Sequence, residues 1–195
     1  MKLLSHAHIN GNGIKHRDEY ARILARASKK RGYTHCVVGC HGDYIASKTT
    51  MNKVREIGIT PIRFAELDIT ARGGTKYNTA HVAFINIPEA KFEGYVHSKT
   101  GARMEDVMPY ARKVGCKIVL CHPYSAEEIR AFSSFIDGYE IDNGLETRKF
   151  LDRSIWKDIP SIIQFHGADW HVWEGAGDPN YFTELPDDWF GRLYE

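Results

Sequence analysis

Short β-prone runs alternate with stretches of helical periodicity along most of the 195 residues, and this alternation limits the fold more than any other feature. Strands that alternate with helices are joined by crossovers, which points to parallel βαβ units in a barrel or doubly wound sheet. The strand candidates are 2–5, 34–40, 60–65, 82–87, 117–121, 138–141 and 161–165. Between them, helical spacing covers 17–31, where Tyr20, Ile23, Leu24 and Ala27 share a face, Asp18 and Glu19 favour the start and Gly32 stops the chain. Further helices are expected over 47–57, through Met104–Ala111 with a kink at Pro109, from the capping pair Ser125 and Glu128 to Phe132, and over 145–151. Asn10-Gly11-Asn12-Gly13 and 72–78 read as loops, and the tail from Val172 is aromatic and loop-rich.

The length suits one domain spanning 1–195, and 43% hydrophobic residues are enough for a packed core. No internal repeat or linker divides the chain. A net charge of +1 gives no field that would hold a long nucleic-acid track or an acidic membrane. The basic run Lys29-Lys30-Arg31 sits where a helix C-terminus favours cations. The start of the chain lacks the pattern of a secretory leader, and no apolar stretch approaches membrane-spanning length. Four cysteines without a CxxC pair, in a chain large enough to do without disulfides, lead to the expectation of a cytoplasmic setting.

Histidine is the over-used residue, with ten in the chain. His6, His41, Glu66, His122 and Asp169 each fall at the end of a strand candidate. Such ends converge on one mouth in parallel α/β folds, so residues distant in sequence would meet in one pocket. In extended chain, residues i and i+2 point the same way, so His6-x-His8 and Asp169-x-His171 each offer two ligands to one side. Imidazoles mixed with carboxylates suit zinc, manganese or iron. There are more such groups than one tetrahedral ion needs, and Glu66 could bridge two ions. A single histidine at a strand end is more often structural than a ligand. The joint pattern is harder to explain that way, because buried histidines need a partner for every ring nitrogen.

In order along the chain, His6-Ala7-His8, Gly39-Cys40-His41, Phe64-Ala65-Glu66, the His81-led run to Ile87, His122-Pro123 and Gly167-Ala168-Asp169-Trp170-His171 resemble the motif series of the PHP (polymerase and histidinol phosphatase) family. The series covers nearly the whole chain. The resemblance implies an α/β fold, a distorted (β/α)7 barrel of the PHP type. It implies two or three divalent metal ions (Zn, Mn or Fe). His6, His8, Glu66 and Asp169 would surround one ion, Glu66, His81 and His122 a second, and His41, His171 and His16 a third. Cys40 and Ala168 replace the family's usual Asp and Ser at positions that do not normally touch metal. Glu140 and Asn143 match a recurrent Glu-x-x-Asn strand end and would order the site or the substrate. His166 would support the ligands or face the substrate. Trp170 reads equally as a pocket wall or as packing, while His35 is expected to be packed and His97 solvated.

The implied activity is that of a stand-alone metal-dependent phosphoesterase, hydrolysing a phosphate mono- or diester with a metal-activated water. Asp169 or His171 would orient the water, and Arg63, Arg72, Lys76 or Arg103 would assist the phosphate. The substrate would be a phosphorylated small molecule, a nucleotide or a nucleic-acid end. The alternatives are a non-catalytic, metal-stabilised accessory module, or a metal-dependent hydrolase of a non-phosphate bond. The residues leave substrate identity, oligomeric state and the number of ions open.

Overall fold

The computed structural model describes residues 1–9, 16–41, 45–70, 79–88, 103–145 and 162–194. In chain order the strands are β1 (Lys2–Leu4), β2 (Ala7–His8), β3 (His35–His41), β4 (Thr60–Thr70), β5 (Thr79–Ile85), β6 (Lys117–Leu120), β7 (Gly138–Asn143), β8 (Ile163–Gly167), β9 (Trp170–His171) and β10 (Thr183–Glu184). The helices are α1 (Arg17–Lys30), α2 (Lys48–Arg55), α3 (Met104–Lys113) and α4 (Ala126–Phe132).

Eight strands form one sheet in the order β10-β1-β3-β4-β5-β6-β7-β8, and β2 with β9 forms a separate pair. The sheet curls almost into a closed barrel. Its two ends meet through side chains: Ser5 Oγ donates to the His166 carbonyl at 3.1 Å, and the His166 N–H donates to Thr183 Oγ1 at 2.9 Å. Seven of these strands supply the barrel expected from the motif series, and the two-residue β10 fills the seam beside β1.

One expectation fails. The sheet is not parallel throughout, because β5 runs antiparallel to both β4 and β6. The connection between Thr70 and Thr79 is too short for the crossover that a parallel neighbour requires, which takes a dozen or more residues. The β4–β5 ladder also carries β4 past Glu66 to Thr70, with Glu66 opposite Ala83 and Thr70 opposite Thr79. Buried Leu67 and Ile69 alternate with half-buried Asp68 and Thr70, the period-two pattern of a strand with one covered face.

The helices form where the sequence places them. In α1, Ala21, Leu24, Ala25 and Ser28 are buried, with acidic residues in the first turn and Lys29 and Lys30 in the last. Ser47 caps α2 by accepting from the Thr50 N–H, and Ser125 caps α4 by accepting from the Glu128 N–H. The Glu128 carboxylate reaches back to the Tyr124 N–H, one residue further than expected. Asp18 of α1 bonds Thr50 and Lys53 of α2, locking the two helices together. Pro109 lies inside α3. The apolar interior has two clusters, one under α1 and α2 around Leu3, Leu24, Val37 and Phe64, the other under α3 and α4 around Val82, Phe84, Ile118 and Phe132. Each fully buried large side chain contributes about 1.5–3 kcal/mol, so the barrel ends are held from both sides. The expected helix over 145–151, the loops at 10–13 and 72–78, and His97 lie outside the described residues or run out of them. No helix among the described residues is long and apolar enough to cross a membrane.

Candidate metal centre

β2 and β9 pair in parallel, with Ala7 opposite Trp170 and His8 opposite His171. The pairing lays the His6-x-His8 segment beside the Asp169-x-His171 segment across the barrel mouth. Bonds from Trp170 N–H to the His6 carbonyl and from Val172 N–H to the His8 carbonyl extend it. The i, i+2 rule holds in both segments. His6 and His8 bring their Nε2 atoms to 3.0 Å, and His171 Nδ1 stands 3.6 Å from Asp169 Oδ1. The Phe64 ring lies 5.6 Å from the His6 ring and 5.7 Å from the His8 ring.

Glu66 sits at the centre, fully buried. Its two oxygens face different partners. Oε2 lies 3.2 Å from His6 Nε2, 3.2 Å from His8 Nε2 and 2.8 Å from His41 Nε2. Oε1 lies 3.0 Å from His81 Nδ1 and 3.3 Å from His122 Nε2. Asp169 Oδ1 closes the first group at 3.5 Å from His6 Nε2 and 3.4 Å from His8 Nε2. His81 reaches the mouth from the start of β5 because that strand runs the other way, so its first turn of ladder lies where other strands end.

Hydrogen bonds alone do not account for this arrangement. A neutral imidazole has one N–H, and the facing Nε2 atoms of His6 and His8 cannot both carry a proton toward each other. Meanwhile His8 Nδ1, His122 Nδ1 and Glu66 Oε1 are buried without a hydrogen-bond partner. Divalent cations among the inward Nε2 lone pairs would relieve the clash between His6 and His8 and satisfy Glu66 Oε1, and mixed imidazole and carboxylate donors suit zinc, manganese or iron. Among the described residues the donor atoms converge in overlapping groups: His6, His8 and Asp169; His41, Glu66 and His81; His8, His41 and His171; and, behind them, His6, Cys121 and Glu140.

Charge is strongly coupled here. Burial disfavours an imidazolium at His6, yet the Glu140, Asp169 and Glu66 carboxylates outweigh it and hold its pKa well above the usual value. Burial likewise disfavours the Glu66 and Asp169 carboxylates, but the histidines around them, His6 foremost, hold both below the ordinary carboxylate range. His81 is raised, its burial overcome by Glu66. His171 is lowered by burial and by the neighbouring His8.

Two of these residues also carry backbone strain. The described non-glycine residues with left-handed φ are Asn86, His122 (29°) and Asp169 (44°), and the last two face the cluster. Behind the cluster, buried Glu140 accepts from His6 Nδ1 at 2.7 Å, from the His122 N–H at 2.9 Å and from Asn143 Nδ2 at 3.2 Å. It thereby fixes the His6 ring so that Nε2 points inward, and it pins the strained turn at His122. A Cβ on Gly167 would fall 2.1 Å from Glu140 Oε1, so this position must be glycine for the carboxylate to fit.

The remaining sequence candidates divide. His16 caps α1 with a half-exposed ring 3.6 Å from Glu19, and the converging donor groups do not include it. His8 takes the corresponding place between His41 and His171, its ring 4.7 Å and 4.6 Å from theirs. His166 pairs with Asp142 at 2.8 Å and helps close the barrel seam. The half-buried Trp170 packs against the core, on alternate positions of β9 from His171. Arg63 is buried, three residues before Glu66 on β4, with its Nε donating to the Ala46 carbonyl. Arg103 pairs with Glu105 beside Thr70 at the far end of β4. Arg72 and Lys76 lie outside the described residues. Sequence reasoning missed Asp68, whose Oδ1 lies 3.0 Å from His81 Nε2. The signal was present, since Asp68 is two residues beyond Glu66 on an alternating strand and must share its face.

No protein-family model and no curated protein sequence matches the chain. Solved structures do. A Bifidobacterium adolescentis protein provisionally classed as a metal-dependent phosphoesterase aligns with 97% of this chain and 94% of its own at 14% identity, TM-score 0.60. An amidohydrolase from Chromobacterium violaceum, solved with bound sulfate and no metal, aligns with 95% of this chain and 92% of its own at 13% identity, TM-score 0.63. Endonuclease Q, in complex with a 27-mer duplex bearing an abasic lesion, shares 15% identity over 92% of this chain and 50% of its own, TM-score 0.54. At these identities the likeness is one of fold.

Proposed function

We propose that this chain is a PHP-type metal-dependent phosphoesterase that hydrolyses phosphate mono- or diesters with two or three divalent ions, Zn, Mn or Fe. The observation that carries the reading is the Glu66 carboxylate, whose two oxygens face separate sets of imidazoles as a bridge between two ions would. His6, His8, Glu66 and Asp169 would hold one ion, and Glu66, His81 and His122 a second. His41 and His171, whose rings flank His8, are placed for a third.

Bound ions would supply positive charge to the phosphoryl oxygens and lower the pKa of a coordinated water. The chain's own residues do the rest. Asp169, kept ionised by the surrounding histidines, or His171 would orient the attacking water. Glu140 keeps the His6 ring from turning, and the Phe64 ring against His6 and His8 helps wall water from the floor. The substrate is a phosphorylated small molecule, a nucleotide or a nucleic-acid end, and four free buried thiols fit a reducing cytoplasm.

A panel of phosphomonoesters, phosphodiesters and amides, assayed with added manganese or zinc, tests the reading. Turnover of a phosphoester that disappears in His8→Ala and Asp169→Ala is the expected result. Turnover of amides alone would transfer the site to the amidohydrolase class, and full phosphoester activity in either variant would sink the proposal.

A further inference from the structure

The histidines around Glu66 do not all present the same nitrogen. His6, His8, His41 and His122 turn Nε2 toward it, whereas His81 turns Nδ1, at 3.0 Å from Glu66 Oε1 and 3.2 Å from His122 Nε2. That leaves His81 Nε2 pointing outward, where it meets Asp68 Oδ1 at 3.0 Å. The contact is built into the sheet. Asp68 of β4 is the direct cross-strand partner of His81 on β5, and small Ala83 lies opposite Glu66.

A neutral imidazole carries a single N–H. The Asp68 carboxylate 3.0 Å from Nε2 draws the proton there by charge and leaves the Nδ1 lone pair facing Glu66 and His122. Without that charge the Glu66 carboxylate, 3.0 Å from Nδ1, draws the proton to Nδ1 instead. The ring would then occupy a lone pair of Glu66 instead of offering its own. We propose that Asp68 is a positioning residue that holds His81 in the tautomer able to bind a cation, and so controls occupancy of the Glu66–His81–His122 set without touching the ion. The inference rests on the metal-centre reading above and adds a residue that the motif series does not contain.

The test compares the full-length protein with Asp68→Ala and Asp68→Asn. Each is stripped with a chelator and titrated with Zn²⁺ against a chromogenic competitor, ions bound per chain are counted, and melting of the metal-free protein is recorded. Asp68→Ala is expected to weaken the outer ion about 10–100-fold and to leave the inner ion, held by His6, His8 and Asp169, unchanged. Asn keeps an oxygen that can accept the Nε2 proton but not the charge, so Asp68→Asn should recover only part of the lost affinity. The metal-free melting temperature should not move, because the Asp68 side chain is 48% exposed. Wild-type affinities for both ions in Asp68→Ala would overturn the inference alone. So would equal weakening of both ions with a lower metal-free melting temperature. Wild-type protein that takes up no ion would overturn the metal-centre reading along with it.

Discussion

The two halves of the histidine cluster share Glu66 and differ in almost everything else. On the inner half His6, His8 and Asp169 have side chains 1%, 0% and 5% exposed. On the outer half His41 and His81 are 38% and 35% exposed, and only His122, at 7%, is as covered as the inner residues. The inner half is backed by Glu140, itself buried and tied to His122 and Asn143, whereas the outer half is backed by half-exposed Asp68. Charge–charge attraction is weakened by solvent on the outer half and strengthened by burial on the inner half. On the proposed reading the buried half would hold its ion firmly and the solvent-facing half would exchange one.

The most severe way to break the comparison is to remove what the halves share. Glu66→Ala should lose both ions and drop phosphoester turnover by more than the roughly 100-fold upper cost of residues that only orient ligands. Metal counts on the purified variant check it, and retention of either ion at wild-type affinity would show that Glu66 does not bridge.

Glu140→Gln acts on the inner half through the His6 ring and on the outer half only through the backbone N–H of His122. One carboxylate oxygen becomes an amide NH₂, setting a donor against either the His122 N–H and Asn143 or the His6 Nδ1 proton. Affinity for the inner ion should fall about 10–100-fold with the outer ion less affected, as read by competitive Zn²⁺ titration. Gly167→Ala pushes on the same carboxylate from behind and should lower stability by about 1–3 kcal/mol, the usual cost of overpacking, in a denaturation curve.

The smallest effect is expected at two buried thiols, Cys121 beside His6 and Cys36 under α1. Burial pushes the Cys36 thiol up to about 12 and raises Cys121, beside His6, well above its ordinary value. Both therefore stay protonated and should resist iodoacetamide at pH 8 until the protein unfolds. Since the unfolded thiols ionise near 8.5, the stability from keeping them protonated is complete below that pH and is lost as the pH rises above it. Rapid labelling of Cys121 in the folded protein would mean that the inner half is open.

Much of this was legible in the sequence because short-range chemistry governs it. The i, i+2 pairs His6-x-His8 and Asp169-x-His171, the strand-end placement of His41 and His122 and the capping Ser125 all follow from local geometry. The direction of β5 was legible too, in the short connection before Thr79, but alternation of elements suggested parallel strands and masked it. Other features depend on packing between distant segments. Nothing local says that Arg63 is turned under Ala46, that the His166–Asp142 pair lies at the barrel seam, or that His8 rather than His16 stands between His41 and His171. Asp68 was overlooked because the strand was taken to end at Glu66, where its hydrophobic run is interrupted by the residues that make the site.

The most direct test of the account is the release of metal from reconstituted protein into excess chelator, followed in time with the ions counted per chain. The account predicts at least two ions leaving in separate phases, the fast phase quickened or lost in His81→Ala and the slow phase abolished in Asp169→Ala. Release in a single phase of one ion, or no bound ion at the start, would contradict it.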